Sequence, residues 1–330
     1  MLQDSHNRTI SYLRISVTER CNFRCVYCMP AEGVALSPKD QILTFEEIAR
    51  VAGVGATLGL TKIRLTGGEP TVRAELPTLV RMLAAIPGVR EVSMTTNAAR
   101  LDELARPLKD AGLTRINVSL DTLRRDRARE IARRDVLGDV LRGIDAASDA
   151  GFRPVKLNAV VMRGVNDDEL CDLVDYAHAR GGQMRFIEYM PMGAARHDSH
   201  NHTVTAREML ERLRPRFDLV RDDAREGSDP HDPARGWVCR RTGARVGFIT
   251  SISEHFCDAC NRMRLTAEGG LRPCLHQDAE VDVRAVLRGG GSDEDVADAY
   301  REAAALKWAG HRMTQFVPLF SRKEMVSIGG

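Results

Sequence analysis

A chain of 330 residues can bury a large core, on the order of three quarters of its unfolded surface, and allows one large domain or two. Its 48 basic and 46 acidic residues leave a net charge of only +2, which argues against a general nucleic-acid or membrane-surface binder. No apolar run approaches the roughly 20 residues of a bilayer span, and the N-terminus MLQDSHNR has no apolar signal core, so a cytoplasmic protein whose eight cysteines are ligands or buried thiols is expected.

The first apolar run, SYLRISV, leads into CNFRCVYC. There Cys21, Cys25 and Cys28 are separated by three residues and then two. Three thiolates so placed suit three irons of a four-iron, four-sulfur cubane and leave the fourth iron open to an outside ligand. A zinc site would call for a fourth ligand and paired cysteines two residues apart, and no His or Cys follows nearby.

Next comes the amphipathic stretch TFEEIARVAGVGATLG. Thr44 and Glu47 make a capping box at its start, and Gly59 ends it. KIRLT runs into Gly67-Gly68-Glu69, which alone reads as a turn. The alternation continues through ELPTLVRMLAAI, EVSMTTN, LDELARPLKDAG and RINVSL. The mixed-charge run RRDRAREIARRD reads as a solvated helix or loop. VLGDVLRGIDAASDAG, PVKLNAVVM, DDELCDLVDYAHARGG, MRFIEYM and TAREMLERLRPR follow. Six strand–helix units in series predict a parallel sheet. The segment is short for a closed eight-unit barrel, so the expected fold is α/β, a partial (βα)6 TIM-like barrel with functional residues at strand ends. Arg14, Arg64 and Lys156 each interrupt an apolar strand, which is costly unless the cation is paired or faces a wet cavity.

The rhythm breaks near residue 222, where DDAREGSDPHDPARG reads as a linker. The expected division is therefore 8–222 for the barrel core and 223–330 for a C-terminal domain. WVCRRTGARVGFITSI predicts a hairpin. Cys257, Cys260 and Cys274 form a second group, CxxC then thirteen residues then Cys, with Arg262 and Arg264 close behind. On spacing alone, a second cluster with an open iron and a zinc site completed by His255 or His276 both stay open. Cys171 and Cys239 read as small buried hydrophobes, and His197, His200 and His202 fall in a polar loop. A last helix is expected from about Ser292, with Asp295 at its third position.

Taken together, LRISVTERCNFRCVYCMP, KIRLTGGEPTVR, RINVSLDTL, LNAVVMRGVNDDE, RFIEYMPMG, FCDACNRMRLTAEGGLRPCL and the terminal Ile328-Gly329-Gly330 resemble the GTP 3′,8-cyclases, lyases of the radical SAM superfamily. The resemblance covers nearly the whole chain. It implies two [4Fe-4S] clusters, one on Cys21, Cys25 and Cys28 and one on Cys257, Cys260 and Cys274. It implies S-adenosylmethionine at Tyr27, Gly67, Gly68, Glu69, Ser119 and Met190. GTP would meet Arg14, Arg64, Thr95, Lys156, Arg262, Met263 and Arg264. Arg262, Arg264, Gly329 and Gly330 would be catalytic, the glycine pair as a tail threaded into the active site. The implied reaction abstracts hydrogen from ribose C3′ of GTP and joins C3′ to guanine C8, the first step of molybdenum cofactor biosynthesis. Its product would pass to cyclic pyranopterin monophosphate synthase. An electron donor such as flavodoxin or ferredoxin and a homodimer are also implied. One departure is Ala98, where the family usually has Gly; alanine resists positive φ, so a different local loop is expected.

Overall fold

The structure is a computed structural model that describes residues 1–190, 192, 202–222, 231–311 and 323–329. Six strands alternate with helices along its first part: β1 Tyr12–Ser16, α1 Phe45–Thr57, β2 Lys62–Thr66, α2 Leu76–Ala84, β3 Glu91–Thr96, α3 Leu101–Asp110, β4 Arg115–Ser119, α4 Arg125–Ala132, α5 Leu137–Asp149, β5 Lys156–Val161, α6 Leu170–Ala179 and β6 Gln183–Glu188. These six strands pair in parallel, in chain order. After α7 (Ala206–Leu213) come β7 Leu219–Arg221, β8 Ala234–Cys239, β9 Arg245–Ile249, β10 Arg262–Leu265, β11 Gly270–Arg272, β12 Val281–Asp282, α8 Val283–Arg288 and α9 Asp293–Ala305. The later strands extend both edges of the same sheet: β9 lies parallel to β6, and β10 parallel to β1.

The parallel α/β order is the one the strand–helix rhythm predicts, and the likenesses reported below agree with a partial barrel. Its cause is visible in each strand. Leu13, Ile15, Ile63 and Leu65 are fully buried in the apolar core, while their alternate neighbours Tyr12, Arg14, Lys62 and Arg64 face a cavity. The expected hairpin is β8–β9, antiparallel, with Gly243 at positive φ in its turn. Capping boxes start α1 (Thr44, Glu47), α7 (Thr205, Glu208) and α9 (Ser292, Asp295). Helix α9 returns to pack on α1, where Tyr300 Oη donates to Val51 O at 3.1 Å and a Cβ at Gly55 would come within 2.8 Å of that hydroxyl.

Ala98 adopts φ +64°, so the loop after β3 keeps a left-handed residue despite the methyl group. Gly143 of α5 accommodates that loop: a Cβ there would lie 2.0 Å from Ala98 O. The mixed-charge run is helix α4, solvated on one side, with Ala128, Ile131 and Ala132 buried on the other.

Candidate active site

A cavity of about 690 Å³ occupies the concave side of the sheet. Register explains its lining. Arg264, Arg14, Arg64, Ser93 and Arg115 are successive Cα partners across β10, β1, β2, β3 and β4. A neighbouring row pairs Thr95, Asn117, Lys156 and Gln183, and the next carries Ser119, Asn158 and Arg185. Inward-facing residues two apart on parallel strands thus stack cations into one wall. Burial, with Arg64 and Arg262 nearby, depresses the Arg14 guanidinium to about 10. Burial and then Arg185 depress Lys156 to about 7, against the pull of Asp232. Among the described residues, Arg185 Nε, Asn158 Oδ1 and Gln183 Oε1 are buried without a hydrogen-bond partner. Buried polar atoms of this kind call for a polar guest.

Chain direction places the two cysteine groups at opposite ends of this cavity. Cys21, Cys25 and Cys28 follow the last residue of β1, whereas Cys257 and Cys260 precede the first residue of its parallel neighbour β10. Cys274 follows β11, which runs antiparallel to β10, and so returns to the same end. All six line the cavity.

The first cysteine loop is pinned by main-chain hydrogen bonds to the end of α4: Arg24 N to Ala132 O at 3.0 Å and Val26 N to Ile131 O at 3.0 Å. Arg24 Nη1 donates back to Cys21 O at 2.7 Å and Phe23 O at 2.8 Å. Burial pushes the Cys21 thiol up to about 11 and Cys28 up to about 12, and Cys25 well above its ordinary value, with Asp121 and the other two cysteines adding repulsion at Cys25. Arg24 and Arg134 favour the Cys21 thiolate but do not outweigh its burial, and three neighbouring sulfurs held in this state suit a bound metal centre, which deprotonates its thiols outright.

Beside this loop, Gly68 N donates to Thr18 O at 2.7 Å and Glu69 N to Arg20 O at 2.8 Å. A Cβ on Gly68 would sit 2.3 Å from Arg20 O, so no side chain fits there. The Glu69 carboxylate is occupied by its own chain: it accepts from Thr71 N at 3.0 Å, Thr71 Oγ1 at 2.7 Å, Thr96 Oγ1 at 2.6 Å and Asn97 N at 2.7 Å. Tyr27 Oη donates to Asp121 Oδ2 at 2.7 Å, and Val160 N donates to Asp121 Oδ1 at 2.9 Å. Burial still raises the Asp121 carboxyl to about 6.

At the other end burial again raises the Cys257 thiol, but the balance reverses at Cys260. Burial opposes the Cys260 thiolate, but Arg262 and Lys307 outweigh it and lower the thiol to about 6. Lys307 Nζ also donates to Arg262 O at 2.8 Å and Pro273 O at 2.5 Å. The His255 ring meets His311 edge-on and the His276 ring meets it at a tilt, at centroid separations of 4.0 and 4.1 Å. Among the described residues no group of three or more His, Cys, Asp or Glu side chains is gathered to hold a single metal ion. A cubane makes no such demand, because each thiolate ligates a different iron.

The C-terminal segment enters the cavity wall. Arg264 Nη1 donates to Ile328 O at 3.1 Å and also to Gly329 O; Arg14 Nη2 reaches Gly329 O at 3.4 Å. Gly329 has φ +67°, and a Cβ there would lie 2.4 Å from Thr66 Oγ1, so this position admits only glycine. Gly330 lies outside the described residues, as do His197 and His200.

Residues 15–177 match the radical SAM superfamily, and residues 182–313 match the family described as Molybdenum Cofactor Synthesis C. A protein named GTP 3′,8-cyclase from Pelotomaculum thermopropionicum is 46% identical over 332 residues, covering all of both chains. One of the same name from Moorella thermoacetica is 49% identical over 316 residues, covering 94% of this chain and 95% of that one. The chain belongs to the GTP 3′,8-cyclase family. Its fold is also similar to that of SuiB from Streptococcus suis, solved with the precursor peptide SuiA, with a TM-score of 0.58 and 15% identity over 84% of this chain and 64% of that one.

As a radical SAM protein the chain uses a [4Fe-4S] cluster and S-adenosylmethionine, and the residues present fit both: three clustered sulfurs and, beside them, the close-packed glycine turn. Tyr27, Gly67, Gly68, Ser119 and Met190, expected to contact S-adenosylmethionine, all line the cavity, as do Arg14, Arg64, Thr95, Lys156, Arg262 and Arg264. Met263 is placed otherwise. With Arg262 and Arg264 facing inward, alternation turns its side chain into the apolar core, fully buried, and leaves only its main chain for the cavity. Lys62, Arg115, Arg185, Asp121 and Asp232 also line the cavity and were not singled out by sequence. A period-two signal existed for Lys62, two residues before Arg64, and for Arg185, which interrupts MRFIEYM as Lys156 interrupts its own strand. Asp232, inside a polar proline-containing stretch, carried no such signal.

Proposed function

We propose that this chain performs the cyclisation its family is named for. It converts GTP to 3′,8-cyclo-7,8-dihydro-GTP in the first step of molybdenum cofactor biosynthesis. The observation that carries this reading is the wall of cations, Arg264, Arg14, Arg64, Arg115, Lys156 and Arg185, lying between two thiol-lined ends of one cavity. A triphosphate is complementary to that wall in charge. Cys21, Cys25 and Cys28 would hold one [4Fe-4S] cluster, and Cys257, Cys260 and Cys274 a second.

When bound, the first cluster and S-adenosylmethionine supply a 5′-deoxyadenosyl radical. The chain's own residues bind and orient. Tyr27, Gly67, Gly68, Ser119 and Met190 shape the S-adenosylmethionine subsite. Arg14, Arg64 and Lys156 draw the phosphates into the barrel, and Thr95 stands in the same wall. Arg262 biases Cys260 toward thiolate, the form a metal centre needs. Arg264 anchors the Gly329 main chain so that the tail closes the cavity and keeps water from the reacting sugar. Glu69 holds the loops after β2 and β3 together rather than presenting a free carboxylate.

On this reading residues 8–222 form the radical-generating core, and 223–330 supply the second cluster and the tail. No described helix is long and apolar enough to cross a membrane, in keeping with work in the cytoplasm. A flavodoxin- or ferredoxin-type donor, a downstream cyclic pyranopterin monophosphate synthase and a homodimer complete the proposal. The test is direct. Anaerobically reconstituted protein with GTP, S-adenosylmethionine and a reductant should form the cyclised nucleotide and 5′-deoxyadenosine in step. Formation of 5′-deoxyadenosine with GTP recovered intact would reject GTP as substrate.

A further inference from the structure

The cationic wall contains a carboxylate of its own. Asp232 Oδ2 accepts from Arg185 Nη2 at 2.5 Å and lies 3.7 Å from Lys156 Nζ, and its Oδ1 accepts from Ala234 N at 3.1 Å. Arg185 and Lys156 are both largely buried, with side chains 7% and 12% exposed. They lie on adjacent strands, β6 and β5, and share the cavity with Arg64 and Arg115. Arg185 Nε has no hydrogen-bond partner among the described residues, so Asp232 satisfies the guanidinium only in part. The segment bearing Asp232 is set against the second cysteine loop, with His231 Nδ1 2.7 Å from Ala259 O. Glu69, Glu91, Asp121 and Asp222 also line the cavity, and of these Glu91 sits 3.4 Å from a cation of the wall, Arg115.

A phosphate that enters here meets two cations already shared with an anion. It must take Arg185 and Lys156 from Asp232, or lie beside a carboxylate that repels it. We propose that Asp232 is an internal competitor for the substrate's polyphosphate. It occupies Arg185 and Lys156 until a ligand with enough negative charge displaces it, lowers affinity for the nucleotide, and favours triphosphates over less charged ligands. The proposal rests on the GTP reading above. A partly buried counter-anion also spares the empty site the repulsion of clustered cations, so the residue serves both states of the cavity.

The test is Asp232→Asn, which keeps the shape and the acceptor but removes the charge. Binding of GTP, inorganic tripolyphosphate and guanosine to the reconstituted holoenzyme is measured by calorimetry below neutral pH, where Lys156 keeps its proton. Expected is a gain on the order of tenfold in affinity for GTP and tripolyphosphate, with guanosine unchanged. Unchanged or weaker GTP binding by a folded variant would overturn the proposal. So would a guanosine affinity that moves as much as that of GTP, because the carboxylate would then be acting on the base. Asp232→Ser is the second variant if the first does not fold; loss of the fold in both assigns Asp232 a structural role and also overturns it. If the parent protein binds neither GTP nor tripolyphosphate, the nucleotide reading falls together with this one. If it binds both and removing the charge does not tighten them, this proposal alone fails.

Discussion

Arg264 carries two burdens at once: a guanidinium held deep in the cavity among like charges, and the anchor of the terminal main chain. Burial and then Arg14 and Arg262 lower its proton affinity well below the ordinary value, so its hydrogen bonds to Ile328 O and Gly329 O offset a real desolvation penalty. Arg264→Ala should therefore reduce GTP turnover by about 100-fold or more while the iron content is retained. It should also expose the C-terminal segment to carboxypeptidase; unchanged turnover would refute the role. Lys156 yields a pH signature. The unfolded chain keeps this proton up to about 10.5, whereas the folded chain releases it near 7. Burial of Lys156 therefore destabilises the fold most below pH 7, and that penalty fades as pH rises toward 10.5. A bound phosphate restores the charged form, so GTP binding above neutrality should take up a proton. Calorimetry in buffers of different ionisation enthalpy measures that uptake, and a zero value would remove Lys156 from the phosphate site.

At the scale of elements, helix α5 and the loop after β3 are locked by close backbone contact. Gly143→Ala would place a methyl carbon 2.0 Å from Ala98 O, where neither side can yield cheaply. A loss of about 1–3 kcal/mol is expected in denaturant unfolding, by the general penalty for overpacking. A negligible change would mean that the loop adjusts freely. The tail makes the opposite kind of element, one whose loss should spare the fold. Truncation after Ile328 should lower cyclisation strongly with little change in melting temperature, and a fully active truncation would reject a tail that closes the site. Both elements show what sequence could and could not reveal. The six barrel strands were legible because apolar residues alternate with inward cations. The same alternation, applied strictly, would have turned Met263 away from the cavity and added Lys62 and Arg185 to it. Helix α4 was obscured by its charges. Its buried residues are few, two alanines and Ile131, yet the main chain at its end holds the first cysteine loop.

For the molecule as a whole, the arrangement follows from chain direction. One cysteine group follows a parallel strand and the other precedes that strand's neighbour, so two sulfur-rich sites face each other through a barrel lined with cations. Spacing could mark the first group as a cluster ligand set and the second as a metal ligand set, but only the topology places them at opposite ends of one cavity. Glu69 and Asp232 belong to the same class of long-range fact. Beside local contacts to Thr71 and Ala234, each has partners in segments remote along the chain, Thr96 and Asn97 for one, Lys156 and Arg185 for the other, and no local pattern announces those remote pairings. The central claim is that both ends hold iron. Iron, acid-labile sulfide and zinc content after anaerobic reconstitution tests it most directly. The account expects about eight irons per chain, the complement of two four-iron clusters, with a matching sulfide count and no zinc. About four irons with one zinc per chain would contradict it, leaving radical chemistry at one end and no cluster to meet the nucleotide at the other.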